Sequence, residues 1–149
     1  MKTLWVLGIV IWCAGGSLPA AEKAPGPEKV PVATAKLTAE QVATTYFESL
    51  VSGNIAKANE LSTVPFSFDR KMVLAKKTEL EAKHQEILAN KGKRAVPKYT
   101  SAIVKDAVAL DPKIFPKYTV IRCSLDGRKN GIDIYVTAEG EPKVIGFSD

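Results

Sequence analysis

A single histidine, two cysteines and a few tyrosines and acids decide what chemistry this chain can do. His84 is the sole histidine, which excludes a histidine-based metal cluster. It falls on an apolar stripe, where an imidazole is either a satisfied interface residue or a pocket acid, base or ligand contact. Tyr46 stands seven residues before Gly53 on the apolar side of a helical pattern. Its hydroxyl therefore either completes a core or works inside a pocket. Asp133 interrupts the aliphatic run Ile132, Ile134, Val136. On one face assignment it pairs on the surface with Arg122, and Asp133→Ala is nearly neutral, because exposed ion pairs contribute about 0–1 kcal/mol. On the opposite assignment it enters a pocket. Cys123 alternates inward with Ile121 and Leu125 and reads as a buried, inert thiol. Phe66 and Phe68 share one strand face and read as core or cavity rim. No nucleophile elbow, phosphate loop or metal-ligand spacing occurs, and "DGRKNG" is a turn. No cofactor is expected.

The elements that must position these residues follow from periodicity. Thr38 and Gln41 form a capping box, and Val42, Tyr46 and Leu50 recur at helical spacing until Gly53. Asn54 caps a short second helix with Ile55, Ala58 and Leu61 inward, and Pro65 is expected to stop it. "PFSFDRKMVLA" reads as a small strand pair turning at Asp69-Arg70. Thr78 and Glu81 are expected to cap a third helix, with Leu80, His84, Ile87 and Leu88 on one face and Gly92 at its end. The period then changes. "YTSAIVKDAVAL", "KYTVIRCSL", "GIDIYVTA" and "KVIGFSD" read as four antiparallel strands, with turns at Asp126-Gly127 and Glu139-Gly140.

The first residues have a different character. Met1-Lys2, then "LWVLGIVIWCAGG", then "SLPAAE" have the layout of a secretory signal peptide. The apolar run is shorter than the roughly 20 residues a bilayer-spanning helix needs. Cleavage is expected after Ala20 or Ala21, with an uncleaved N-terminal anchor as the alternative. Residues 22–36 form a proline- and alanine-rich linker, and the folded domain is expected over residues 37–149. Losing residues 1–21 removes Cys13, so Cys123 remains alone and no intramolecular disulfide can form. The net charge is +5 for the whole chain. No basic stripe interleaved with aromatics is present, so nucleic acid is not an expected partner. Between Arg70 and Lys98 there are nine Lys and Arg against three Glu. That excess reads as a solvated face, or as attraction to anionic lipid or cell-wall polymer.

The order of elements, with "YFESLVSGN", "PFSFD" and the terminal "KVIGFSD", resembles the nuclear transport factor 2-like superfamily. That group includes ketosteroid isomerases and polyketide-cyclase-like proteins. The resemblance covers residues 38–149 and implies three helices on a strongly curved antiparallel sheet, a cystatin-like cone with a cavity between the layers. It implies a role for Tyr46 as a hydrogen-bond donor to a developing oxyanion, and for Asp133 as a protonated second donor. Asp69 falls one residue from the position of the family's general base, beside Arg70, which keeps it ionised and solvated.

The chain is therefore expected to be an α+β protein, exported to the periplasm or secreted. The function expected first is a small-molecule-binding or protein-association module with a pocket lined by Tyr46, Phe47, Phe66, Phe68 and His84. The alternative is a small lyase or isomerase drawing on Tyr46, Asp133, Asp69 or His84. An unidentified small molecule or protein is the expected partner, with homodimerisation through an outer sheet face carrying Tyr135, Arg122 and Lys105 as a further expectation. No mature transmembrane helix is expected.

Overall fold

A computed structural model describes residues 36–149. The expected signal peptide and nearly all of the linker lie outside the described residues. The order is α1 (Ala39–Ser52), α2 (Ile55–Leu61), β1 (Ser62–Phe68), β2 (Met72–Leu74), α3 (Lys77–Lys91), β3 (Tyr99–Val104), β4 (Tyr118–Leu125), β5 (Ile132–Thr137) and β6 (Val144–Ser148). The class is α+β, with three helices and one six-stranded sheet in the order β2-β1-β6-β5-β4-β3. Among the described residues no helix is long and apolar enough to cross a membrane.

Local chemistry explains the helices. Thr38 and Gln41 close the capping box of α1 reciprocally: Thr38 Oγ1 accepts from the Gln41 N–H at 3.2 Å, and Gln41 Oε1 accepts from the Thr38 N–H at 2.9 Å. Gly53 ends the helix at φ 80°, and Asn54 Oδ1 then accepts from the Lys57 N–H at 3.2 Å to start α2. The third helix departs from expectation. It begins at Lys77, so Thr78 lies inside the first turn rather than at the cap. The reach-back acceptor is Glu79, whose Oε2 receives the Lys76 N–H at 3.3 Å, rather than Glu81.

Two further expectations need correction. The sheet is mixed, not antiparallel throughout, because β6 lies parallel against β1 while pairing antiparallel with β5. The β1–β6 ladder breaks between Ser62 and Ser67, over the segment carrying Pro65, which has no N–H to donate. Pro65 thus sits within a strand instead of stopping α2, which ends at Leu61. The second correction concerns "YTSAIVKDAVAL", which is strand only as far as Val104. Leu110 and Phe115, in the connection that follows, bury against Val120, Tyr135 and Ile145 on the sheet face away from the helices. Tyr135 Oη donates to the Val108 carbonyl at 2.9 Å, and Tyr118 Oη accepts from the Leu110 N–H at 2.8 Å. Tyr135 is consequently fully buried and cannot serve as an exposed dimer contact on that face.

The main core lies between the helices and the opposite face. Val42, Tyr46 and Phe47 of α1, Leu80 of α3, and Ile121, Ile134 and Val136 of the sheet pack there. Asp133 is one residue out of phase with that set. It pairs with Arg122, its register partner on β4, through Arg122 Nε to Asp133 Oδ1 at 2.6 Å and Nη2 to Oδ2 at 3.0 Å. Arg122 also reaches Asp106 at 3.3 Å. The Asp133 side chain is only 12% exposed, so this two-pronged bond is better sheltered than an open surface pair. Asp133→Ala is expected to cost about 1–2 kcal/mol in urea unfolding, more than the near-neutral change expected for an exposed pair. A loss below ~0.5 kcal/mol would place the pair in the weak, solvated class.

Candidate functional site

The centre of the site is a chain of three side chains, one from each helix. Helical spacing from Val42 brings Tyr46 onto the inner face of α1, and spacing from Leu80 does the same for His84 on α3. Tyr46 Oη lies 2.9 Å from His84 Nε2. His84 Nδ1 bonds Oδ1 of Asn59, which α2 supplies. A carbonyl oxygen only accepts, so Nδ1 carries the proton, Nε2 offers its lone pair, and the Tyr46 O–H donates to it. Tyr46 and His84 are both fully buried. The ring of Phe66 lies edge-on to His84 at 6.0 Å between centroids.

Burial sets the protonation states. It pushes the Tyr46 hydroxyl well above its ordinary range and pulls His84 down to about 4. Both groups are neutral at pH 7, which matches the tautomer the hydrogen bonds require. The folded imidazole thus titrates below its unfolded value of about 6.5. Between pH 6.5 and 4 the unfolded chain binds the extra proton, so stability falls as pH falls through that window. The expected loss by pH 4 is about 3 kcal/mol from this group. Urea midpoints at pH 7 and pH 4.5 for the wild type and His84→Gln check it. A wild-type decline no steeper than that of the variant would contradict the assignment.

Beside this chain a cavity of about 300 Å³ opens between the helical layer and the sheet. Tyr46, Phe47, Leu50 and Val51 of α1 form one wall. Ile132, Ile134 and Phe147 of the sheet form the other, and Ile87 contributes from α3. The exposed rim carries Lys91, Arg94 and Arg128, with Asp126 and Asp149. The Arg94 backbone is anchored, since its N–H donates to the Val51 carbonyl at 3.0 Å. The rim loops are tied together where the Asp126 N–H donates to the Lys98 carbonyl at 3.2 Å.

Of the residues singled out in the sequence, the structure brings together Tyr46, Phe47, Phe66 and His84. Tyr46 and Phe47 border the cavity, while Phe66 is fully buried behind them, within 6.3 Å of the Tyr46 ring. His84 backs Tyr46 rather than lining the space. Phe68 packs edge-on to Phe147 at 4.9 Å, with Lys83 Nζ 4.7 Å from its ring centroid. The acids are elsewhere. Asp133 faces the other side of the sheet, and Asp69 sits in the β1–β2 turn at φ 49°, paired with Lys71 at 3.5 Å. Cys123 is fully buried, and burial pushes its thiol up to about 11, a state of low nucleophilicity.

Phe147 is not singled out in the sequence, Ile132 reads there only as part of an aliphatic run, and the basic excess between Arg70 and Lys98 reads as a solvated or anion-attracting face rather than as the rim of a cavity. Strand alternation misplaces Phe147, because β6 contains a bulge: Tyr135 pairs with Gly146, whereas Val136 pairs with Val144. Ile145 is the extra residue and turns to the outer face, so Val144 and Phe147, three apart, both face inward. The glycine between two aromatic or aliphatic residues was the available signal for such an irregularity.

Compared with protein families, curated proteins and solved structures, the chain has no match. Among the described residues no cluster of three or more His, Cys, Asp or Glu is placed to hold a metal ion. The arrangement can enclose a small apolar group against the Tyr46 ring. Among the described residues no carboxylate shares a hydrogen bond with the Tyr46 hydroxyl, whose O–H already donates to His84 Nε2.

Proposed function

We propose that this chain is an exported small-molecule-binding module of the nuclear transport factor 2-like type, using the cavity between its helices and sheet as a cone-shaped pocket. One observation carries the reading. The cavity is walled by aromatic and aliphatic side chains, and none of the acids near it is buried beside Tyr46. A pocket of that composition favours holding an apolar body over moving protons. An isomerase of the ketosteroid type needs two donors and a base converging on one substrate. Here Tyr46 is engaged by His84, Asp133 by Arg122 on the far face, and Asp69 by Lys71 in a turn. Export rests on the N-terminal signal-peptide pattern, and the family on the order of elements.

Native mass spectrometry of the full chain, expressed with export and without added ligand, tests both parts. The expected result is a chain cleaved near Ala20 or Ala21 that carries a discrete extra mass. Ile134→Trp, which fills the cavity, is expected to lose that mass. An uncleaved chain would count against export. An added mass retained by Ile134→Trp would count against the pocket.

A further inference from the structure

The rim of the cavity carries a charge pattern that its apolar walls do not explain. Residues 91–98 and 126–131, the two loops that frame the opening, hold six Lys and Arg against one Asp. Several cations elsewhere are matched: Lys57, Lys83, Lys117, Arg122 and Lys143 all sit within ion-pair distance of a carboxylate. Lys91, Arg94 and Arg128 border the cavity and have no ion-pair partner among the described residues. The guanidinium of Arg94 is also oriented. Its Nε donates to the Lys91 carbonyl at 2.9 Å, which fixes the plane of the group and leaves the end-on pair of terminal nitrogens without a carboxylate partner among the described residues. A guanidinium so held presents a fork suited to a carboxylate or sulfonate.

Resting on the small-molecule reading above, we propose that the ligand is an amphiphilic monoanion. Its single apolar body lies against Tyr46, Ile134 and Phe147, and its anionic head meets Arg94 and Arg128 at the rim. The two regions have different physical demands. Water leaves the walls when an apolar chain enters, which favours any apolar molecule of suitable size. The rim distinguishes among such molecules by head group, because unpaired cations at the mouth favour an anion and disfavour a second cation. Asp126 and Asp149, the carboxylates of the rim, reduce the positive field there without reversing the excess of cations in the framing loops. A volume of about 300 Å³ admits one short chain or ring and excludes a two-chain lipid.

The test uses three probes of equal apolar length: octanoate, 1-octanol and octylammonium. Each is titrated into full-length chain while the methyl signals of Ile132 and Ile134 are followed by NMR. Octanoate is expected to bind roughly tenfold more tightly than 1-octanol, with octylammonium weakest. Arg94→Gln combined with Arg128→Gln, both exposed positions, is expected to bring octanoate down to the 1-octanol value and leave 1-octanol unchanged. Raising salt is expected to narrow the gap between octanoate and 1-octanol. Equal affinities of octanoate and 1-octanol at the same methyls would overturn the anionic head group while leaving the pocket in place. Preference for octylammonium would overturn it in favour of Asp126 and Asp149. Failure of all three probes to move either methyl would overturn both this inference and the small-molecule reading beneath it.

Discussion

Replacing His84 with alanine is expected to destabilise the domain by about 4 kcal/mol in urea unfolding at pH 7. Two contributions add. The imidazole is fully buried, so its removal leaves a void among Tyr46, Phe66 and Asn59. It also takes away the acceptor of the Tyr46 hydroxyl, and an unpaired buried hydroxyl costs on the order of 1–3 kcal/mol. Tyr46→Phe alone removes the donor and should cost about 1–2 kcal/mol. Because the two side chains share one bond, the double variant should lose less than the sum of the singles, by about 1 kcal/mol. Strict additivity would contradict the Tyr46–His84 bond. A loss below about 1.5 kcal/mol for His84→Ala would contradict its burial.

The second large effect is expected at Gly146. A methyl group added there would lie 2.7 Å from the Ser67 carbonyl oxygen and 2.9 Å from its Cβ. The backbone atom cannot swing aside as a long side chain can. Gly146→Ala therefore pushes β6 from β1 at the point where their parallel pairing resumes. The expected cost is about 2–3 kcal/mol, from overpacking and strained ladder bonds. Gly140 is the control. It takes φ 77° in a turn, and a methyl added there would meet nothing within 4 Å. Gly140→Ala should therefore cost only the backbone strain of about 1 kcal/mol. Hydrogen exchange at the Asp69 amide, which donates to the Phe147 carbonyl at 2.9 Å, should quicken in Gly146→Ala. Unchanged stability and exchange would contradict the close β1–β6 approach.

These two positions also mark what the sequence carries openly and what it does not. Helix boundaries near Thr38 and Gly53 are written in local chemistry: a hydroxyl and an amide three residues apart, and a residue free to take positive φ. The Arg122–Asp133 pairing follows from two strands joined by one short turn, so its register is nearly local. The β1–β6 pairing joins Ser62 to Val144, and nothing in either segment names the other. The resulting mixed sheet was therefore not legible. The site divides in the same way. Tyr46 and His84 can each be placed on an apolar helical face from spacing alone, yet spacing does not reveal that they bond to one another. That contact depends on how α1 and α3 pack. Likewise "KRAVP" and "DGRKNG" read separately as a basic loop and a turn. Only the hydrogen bond from Asp126 to Lys98, and the packing around it, bring their arginines to one rim.

Whether the space beside Tyr46 is a binding pocket is decided most directly by titrating indole, a small uncharged aromatic, into isoleucine-methyl-labelled chain. Ile87, Ile132 and Ile134 border the cavity, whereas Ile121 is buried in the core and Ile103 is exposed at 62%. A binding pocket gives saturable shifts at the first three methyls and leaves Ile103 and Ile121 unmoved, which is the expected result. Shifts that never saturate, or that appear equally at Ile103, would contradict it.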